Sequence, residues 1–471
     1  MKKLIGLTVM MIMAVELMAG CGGGNNTESE ETTSDQEPTE NTSLEVESSE
    51  ETRRADVTPG NFSDDATISE TVMLDEGGVK ITATGLNYGS YDAELELTIE
   101  NNSGKNLNFI CGSLGYSCNS INGYMIDDGY LNCDVANGKK ANESISFSYD
   151  SLMLYGINEI ADIEIGFSMK DDDHKYTYSD PCRVTTSIFD AHDYDKDYYI
   201  ESITSTDTMS IYDYDVACFS QDTLYDENGI RLLSSALIQD GDDEDRLLLE
   251  LENTTGSVIY TATSDIAVNG LIIPGSTLSY DAINPGKRCI VDIDISYVLD
   301  SQHQISYGIN EIGTIALSLS QYDSDGIEIT DKTAIEITVP GAKSEYDASG
   351  TEVYNNNGLR IVSKSIIDGS SEYDDDIYVL LLAENKSGRT LTISDVYDSL
   401  SVNGYMTDYS CYSIEITDNS CAVLEIELWE SSLEDNDITS AYDIEDVEIQ
   451  FEIESGRNLI DSPIVTISSN Q

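Results

Sequence analysis

The sequence predicts an all-β protein, built as three tandem β-sandwich domains that follow an N-terminal signal and an acidic stalk. Three observations predict this class. Short segments alternate apolar and polar residues with period two, as in Ile163-Glu164-Ile165-Gly166-Phe167, Ile290-Val291-Asp292-Ile293-Asp294-Ile295 and Val423-Leu424-Glu425-Ile426-Glu427-Leu428, which places the apolar side chains on one face of a strand. Gly, Asn and Asp turns separate these segments, and no stretch carries a sustained helical period with caps at both ends. Finally, four local signatures recur in the same order along the chain, so the fold is a tandem array.

Residues 1–20 read as a signal. Lys2 and Lys3 precede an apolar run from Leu4 to Val15, too short for a spanning helix, which needs about 20 apolar residues, and ordered like a secretory leader. Ala19-Gly20-Cys21 resembles the lipobox of bacterial lipoproteins, with Met18 where that motif usually has Leu. The resemblance implies cleavage before Cys21, lipidation of its sulfur, and a membrane partner held through that lipid, since two or three acyl chains suffice for stable anchoring. Residues 21–60 are rich in Ser, Thr, Asn and Glu and lack aromatic residues; such a segment cannot bury enough apolar surface to offset its ordering entropy and is expected to be a disordered stalk.

The repeats follow at 61–190, 223–340 and 341–471, with an acidic, Tyr-rich connection at 191–222. The first signature is a Gly opening a strand: Gly78 before Val79-Lys80-Ile81, Gly229 before Ile230-Arg231-Leu232, Gly358 before Leu359-Arg360-Ile361. The second is an apolar strand ending in Glu-Asn and a turn, at Asn101, Asn253 and Asn385. The third is an Asn-Gly pair between apolar residues, at Ile121-Asn122-Gly123-Tyr124-Met125, Val268-Asn269-Gly270 and Val402-Asn403-Gly404-Tyr405-Met406, a strong hairpin signal because both residues tolerate positive φ. The fourth is Gly156-Ile157-Asn158-Glu159-Ile160 and Gly308-Ile309-Asn310-Glu311-Ile312, reduced in the third copy to Tyr442-Asp443-Ile444-Glu445. Units of this size exceed solenoid repeats and are expected to be independent beads. The connection either makes the first pair of beads mobile or adds strands to a sandwich edge. Its Tyr194, Tyr198, Tyr199, Tyr212 and Tyr214 sit among aspartates and are expected to be exposed.

Taken together, the signatures resemble the immunoglobulin-like domains of unknown function found in surface lipoproteins of Gram-positive, Firmicutes-type bacteria, over about Val72 to Ile467. The resemblance implies immunoglobulin-like sandwiches at the cell surface, lipid-anchored to the outer face of the cytoplasmic membrane. The third copy departs from it by lacking the basic pair seen at Lys139-Lys140 and Lys287-Arg288.

Composition bounds the function. Across 471 residues, 89 acids face 23 Lys and Arg, a formal net charge of −66; nucleic acid is excluded as a partner, because phosphates repel such a surface. Beyond Cys21 there are eight cysteines: Cys111, Cys118, Cys133, Cys182, Cys218, Cys289, Cys411 and Cys421. An even count in an exported chain is compatible with disulfides, but only Cys289 and Cys421 align between copies, so buried thiols and at least one bridge within the first copy both stay open. Only His174, His192 and His303 are available as imidazoles, and no nucleophile elbow, zinc helix or phosphate loop occurs; no catalytic residue is assigned, and the chain is expected not to be an enzyme.

Calcium is the cofactor to test, since clustered carboxylates in loops are what it requires. Candidates are Asp171 to Asp173, Asp193-x-Asp195-x-Asp197, Asp240-x-Asp242-Asp243-Glu244-Asp245, Asp323-x-Asp325-Gly326 and Asp374 to Asp376, none of which completes a twelve-residue calcium loop. No metal or cofactor site is therefore assigned. The expected function is non-catalytic binding or structural display with an unidentified protein or glycan partner; the alternative is a lipoprotein that captures a solute or glycan for an uptake system.

Overall fold

The computed structural model describes residues 62–112, 119–240, 245–273, 280–296, 299–369 and 376–469. The expected signal, Cys21 and the stalk, together with Cys118, lie outside the described residues. The rest is an all-β, multi-domain sandwich fold. In the first repeat a sheet of Thr71–Glu76, Val79–Tyr88, Asp92–Asn101 and Lys139–Ser148 covers a core of Ile81, Leu95, Leu97, Ile99, Phe109 and Phe147. The second repeat sets Ile230–Asp240, Asp245–Asn253 and Arg288–Asp294 against Ile259–Val268, Thr314–Tyr322 and Thr333–Thr338; the third sets Thr351–Asn356, Leu359–Asp368, Ile377–Asn385 and Ser420–Leu428 against Leu391–Asp395, Asp446–Ser455 and Ile464–Ser468.

The Glu-Asn signature is a structural lock. Each Asn is fully buried, and its amide spans the gap between strands. Asn101 Nδ2 donates to the carbonyls of Lys105 and Val135, Asn253 to those of Ser257 and Ile283, and Asn385 to those of Arg389 and Ile416, all at 2.7–2.8 Å. Each Oδ1 accepts the backbone N–H two residues on, from Ser103, Thr255 and Ser387. The carbonyls of Val135, Ile283 and Ile416 are buried, and one left without a donor would cost about 1–3 kcal/mol, which explains why one residue type stands at all three positions.

The repeats are not independent beads. One sheet of nine strands runs from the first repeat into the second, and one of ten strands runs from the second into the third. The cores follow: Tyr214, Ala236, Ile238 and Leu248 belong to the first cluster, and Val362, Leu380, Leu382 and Val423 to the second. Each leucine so covered contributes about 1.5–3 kcal/mol relative to exposure.

The connection adds structure at the first joint. It forms the helices Tyr198–Ile203 and Thr206–Tyr212, capped by the side chains of Asp197 and Ser205, and the strand Tyr214–Ser220, which pairs antiparallel with Ile230–Asp240. Of its five tyrosines only Tyr194 is exposed. Tyr199 and Tyr214 are buried, the latter donating to the Ile203 carbonyl at 2.9 Å, because the connection fills the space between two sandwiches instead of bridging it through solvent. Gly156 makes this possible: at φ 74° it runs so near the connection that a Cβ would lie 2.3 Å from the Tyr198 carbonyl oxygen.

Candidate functional site

The joints are made by the Asn-Gly hairpins. Each hairpin Asn has positive φ, 50° at Asn122, 53° at Asn269 and 50° at Asn403. Its side chain ties the turn to the strand that follows the fourth signature. Asn122 Oδ1 accepts from Ala161 N–H, Asn269 from Gly313 and Asn403 from Glu445; the amides donate to the carbonyls of Glu159, Glu311 and Asp443. The hairpin is thus rigid before it meets anything.

In the first repeat the hairpin strand Tyr124–Ile126 lies parallel to Arg288–Asp294, with Tyr124 opposite Arg288 and Arg288 N–H donating to the Gly123 carbonyl at 2.9 Å. In the second, Leu271–Ile272 lies parallel to Ser420–Leu428, with Leu271 opposite Cys421 and Ile272 opposite Ala422. Arg288 pairs with Glu252, and Cys421 with Glu384, so the two acceptor positions are equivalent. Cys289 faces Leu251, one place further on, which corrects the alignment of Cys289 with Cys421. The basic pair Lys287-Arg288 forms the acceptor: Lys287 Nζ reaches Glu164 of the first repeat at 2.7 Å.

Around Arg288 sits a buried polar network. Its guanidinium lies 3.0 Å from Asp197, 3.4 Å from Glu250 and 3.2 Å from the Tyr124 hydroxyl, and Ser234 Oγ donates to Glu250 at 2.8 Å. Burial, reinforced by the Asp197 charge, pushes the Glu250 carboxyl up to about 7. At the second joint the helix Ser301–Tyr307 is capped by Asp300; Tyr307, fully buried, donates to the Leu381 carbonyl at 2.9 Å, and His303 spans from Asp300 at 2.7 Å to Glu425 at 2.8 Å. Sequence reasoning missed Arg288, Glu250, His303 and Tyr307 as joint residues.

The third hairpin, Val402-Asn403-Gly404-Tyr405-Met406, has the same geometry, and among the described residues its outer strand pairs with no strand of another repeat. Tyr124 and Met125 are 3 % and 4 % exposed; Tyr405 and Met406, their equivalents, are 56 % and 62 % exposed. Trp429 and Tyr442 are exposed beside them: Trp429 N–H donates to the Asp408 carbonyl just past the hairpin, and Tyr442 lies in the turn that receives the Asn403 amide. Apolar and aromatic groups displayed together on a soluble surface mark contact sites.

The acidic loops do a different job. Asp171 Oδ1 accepts the N–H groups of Asp173 and Lys175, and its other oxygen pairs with Lys105; Asp193 accepts from Asp195; Asp323 accepts from Asp325 and Ile327; Asp376 caps Glu430. These carboxylates satisfy their own turns. Residues 241–244 and 370–375 lie outside the described set, and among the described residues no three His, Cys, Asp or Glu side chains converge to hold a metal ion. Cys111, Cys133, Cys182, Cys218, Cys411 and Cys421 are thiols, and burial pushes that of Cys111 up to about 12. A cavity of about 330 Å³ lies at the first joint, lined by Thr206, Ser210, Asp213, Asp215 and Gln239 among others. Among the described residues no helix is long and apolar enough to cross a membrane.

No protein-family model and no curated protein matches the chain. Among solved structures, 48 % of it aligns with 90 % of a protein of unknown function from Porphyromonas gingivalis W83, at 12 % identity and a TM-score of 0.15. Similarly, 80 % aligns with 90 % of a bacterial ice-binding adhesin structure, at 11 % identity and a TM-score of 0.14. An exo-chitosanase from Amycolatopsis orientalis aligns over 86 % of this chain and 78 % of its own, at 6 % identity and a TM-score of 0.17. TM-scores this low carry no argument about fold or function.

Proposed function

We propose that the chain is a lipid-anchored cell-surface protein, held to the outer face of the cytoplasmic membrane through Cys21, whose immunoglobulin-like repeats serve non-catalytic binding and structural display. The exposed third hairpin carries this reading. Two equivalent hairpins are buried in joints, while Tyr405, Met406, Trp429 and Tyr442 stay exposed at the C-terminal repeat. Tyr and Trp supply contact area at little entropic cost and anchor interfaces out of proportion to their number. The fused sheets favour display, because repeats that share a sheet hold fixed positions relative to one another.

The test has two arms in a Gram-positive host. Cys21→Ala is expected to abolish incorporation of a clickable palmitate and release the chain to the medium. The double variant Tyr405→Ala/Trp429→Ala is expected to keep the wild-type melting temperature and to lower the binding of purified chain to host cells. Retention of the Cys21→Ala chain at the membrane, or unchanged cell binding by the double variant, overturns the corresponding half of the reading.

A further inference from the structure

We propose that the third hairpin docks on the first repeat of a second copy of this chain, head to tail, with Tyr405 parallel to Lys140 and Glu448 against Lys139. This rests on the reading that the third repeat's hairpin is a contact surface, and it names the partner.

A joint needs a donor hairpin and an acceptor strand, and among the described residues each is left over once. The donor is Tyr405–Met406, pre-formed by the same Asn side-chain bonds that fix the two donors already engaged. The acceptor is Lys139–Ser148. It pairs with Asp92–Asn101 on one side and ends its four-stranded sheet among the described residues, whereas the equivalent strands Arg288–Asp294 and Ser420–Leu428 each carry a hairpin on that edge. Lys140 faces Glu100 as Arg288 faces Glu252, so it occupies the acceptor position and its N–H points outward, as that of Arg288 does toward Gly123. An open strand edge is a template for pairing with another chain.

Sequence type selects between acceptors. The first donor reads Asn-Gly-Tyr-Met, is accompanied by Glu164, and meets Lys287-Arg288. The second reads Asn-Gly-Leu-Ile, has Ala316 where Glu164 stands, and meets Ser420-Cys421. Carboxylate and cation are therefore present together or absent together. The third donor returns to Asn-Gly-Tyr-Met, and Glu448, opposite Ser401 as Glu164 is opposite Ser120, stands exposed beside it. The vacant acceptor is Lys139-Lys140, both exposed, in a chain with only 23 Lys and Arg. The third donor thus matches the first acceptor and mismatches the Ser-Cys type.

The contact between copies is weaker than the internal joints. Where the third repeat offers Leu380 and Leu382 to its neighbour, the first repeat has Glu96 and Thr98 at the same register, so the leucine contribution is missing. Within the chain the linker also raises the effective concentration to about millimolar, and a membrane surface would do the same for anchored copies. Because the two patches differ, the contact is heterologous and propagates into open chains or closes into rings.

Charge exchange tests this without touching the core. Sedimentation of the full mature chain at low salt is expected to show concentration-dependent association. Glu448→Lys alone and Lys139→Glu alone are each expected to weaken it by about tenfold, since each sets like charges against one another. An equimolar mixture of the two single variants is expected to restore it, because every donor then has an acceptor of opposite charge. A wild-type chain that stays monomeric at high concentration and disperses on vesicles overturns the proposal, as does a mixture no better than its components. Cell binding that still depends on Tyr405 and Trp429 in that case would leave the contact-surface reading standing and assign the hairpin a partner other than a copy of itself.

Discussion

His303 makes the second joint sensitive to alkaline pH, and the effect can be worked from its surroundings. Burial of the ring opposes its charge, but hydrogen bonds to Asp300 and Glu425 outweigh burial and raise its pKa from 6.5 to about 9. A base raised in the folded state contributes stability that is complete below its unfolded pKa and is lost as pH climbs through the folded one. The window therefore runs from 6.5 to about 9, and at 1.36 kcal/mol per pH unit the contribution is about 3 kcal/mol. His303→Gln keeps a polar side chain and removes the titration. Urea unfolding at about pH 6 and about pH 9.5 is expected to show the wild type losing about 3 kcal/mol more than the variant. With three histidines in the chain, NMR of the imidazole protons reads the same quantity directly: one resonance titrates near 9 and is missing from the variant. If no imidazole resonance titrates near 9, the bridge to Glu425 does not carry charge and the reasoning fails.

At the first joint the slope has the same sign in a lower window: Glu250 has a raised carboxyl pKa, so the wild type loses stability as pH rises from 4.5 to about 7, and Glu250→Gln is expected to flatten that slope in a pH series of melting temperatures. Asn253→Ala strips the donor from the buried Ile283 carbonyl and from the Ser257 carbonyl in the turn and is expected to cost about 1–3 kcal/mol, read by urea unfolding; a loss below 1 kcal/mol would show that water replaces the amide. Gly156→Ala places a Cβ against the Tyr198 carbonyl at positive φ and is expected to cost about 1–3 kcal/mol, with hydrogen exchange rising first in the helix Tyr198–Ile203. Protection there equal to wild type would mean that the connection is held by Tyr199 and Tyr214 alone.

Most of the repeat was legible in the sequence, because its signatures are local. Asn-Gly turns, Gly-initiated strands and buried Glu-Asn positions each need only neighbouring residues to be recognised, and the sheets form where period-two patterning places them. The joints were not legible in the same way. Tyr124 and Arg288 are 164 residues apart and meet through a parallel contact one pair long, which leaves no periodic trace. A signal did exist in the strands that receive a neighbour. Ala93 to Ile99 alternates apolar with acidic or polar residues, as a sheet with one wet face should, whereas Leu247-Leu248-Leu249 and Val379-Leu380-Leu381-Leu382 are continuous apolar runs, the mark of a sheet covered on both sides. Those runs argue for stacking, and the burial of Tyr199 and Tyr214 follows from the same closure.

The order in which donors and acceptors appear along the chain has a consequence for synthesis and export. Each hairpin precedes its acceptor: Tyr124 emerges long before Arg288, and Leu271 before Cys421. A chain that emerges from its N-terminus folds domain by domain, so the first sandwich must wait with an open edge until the second exists, and the second must wait for the third. Every repeat thus passes through an interval in which its sticky strand is bare, and the aspartates and glutamates that crowd the remaining surface keep such waiting chains apart. Within one chain, among the described residues, the third repeat stays in that interval, and its bare hairpin is the form in which its predecessors waited before their own joints closed.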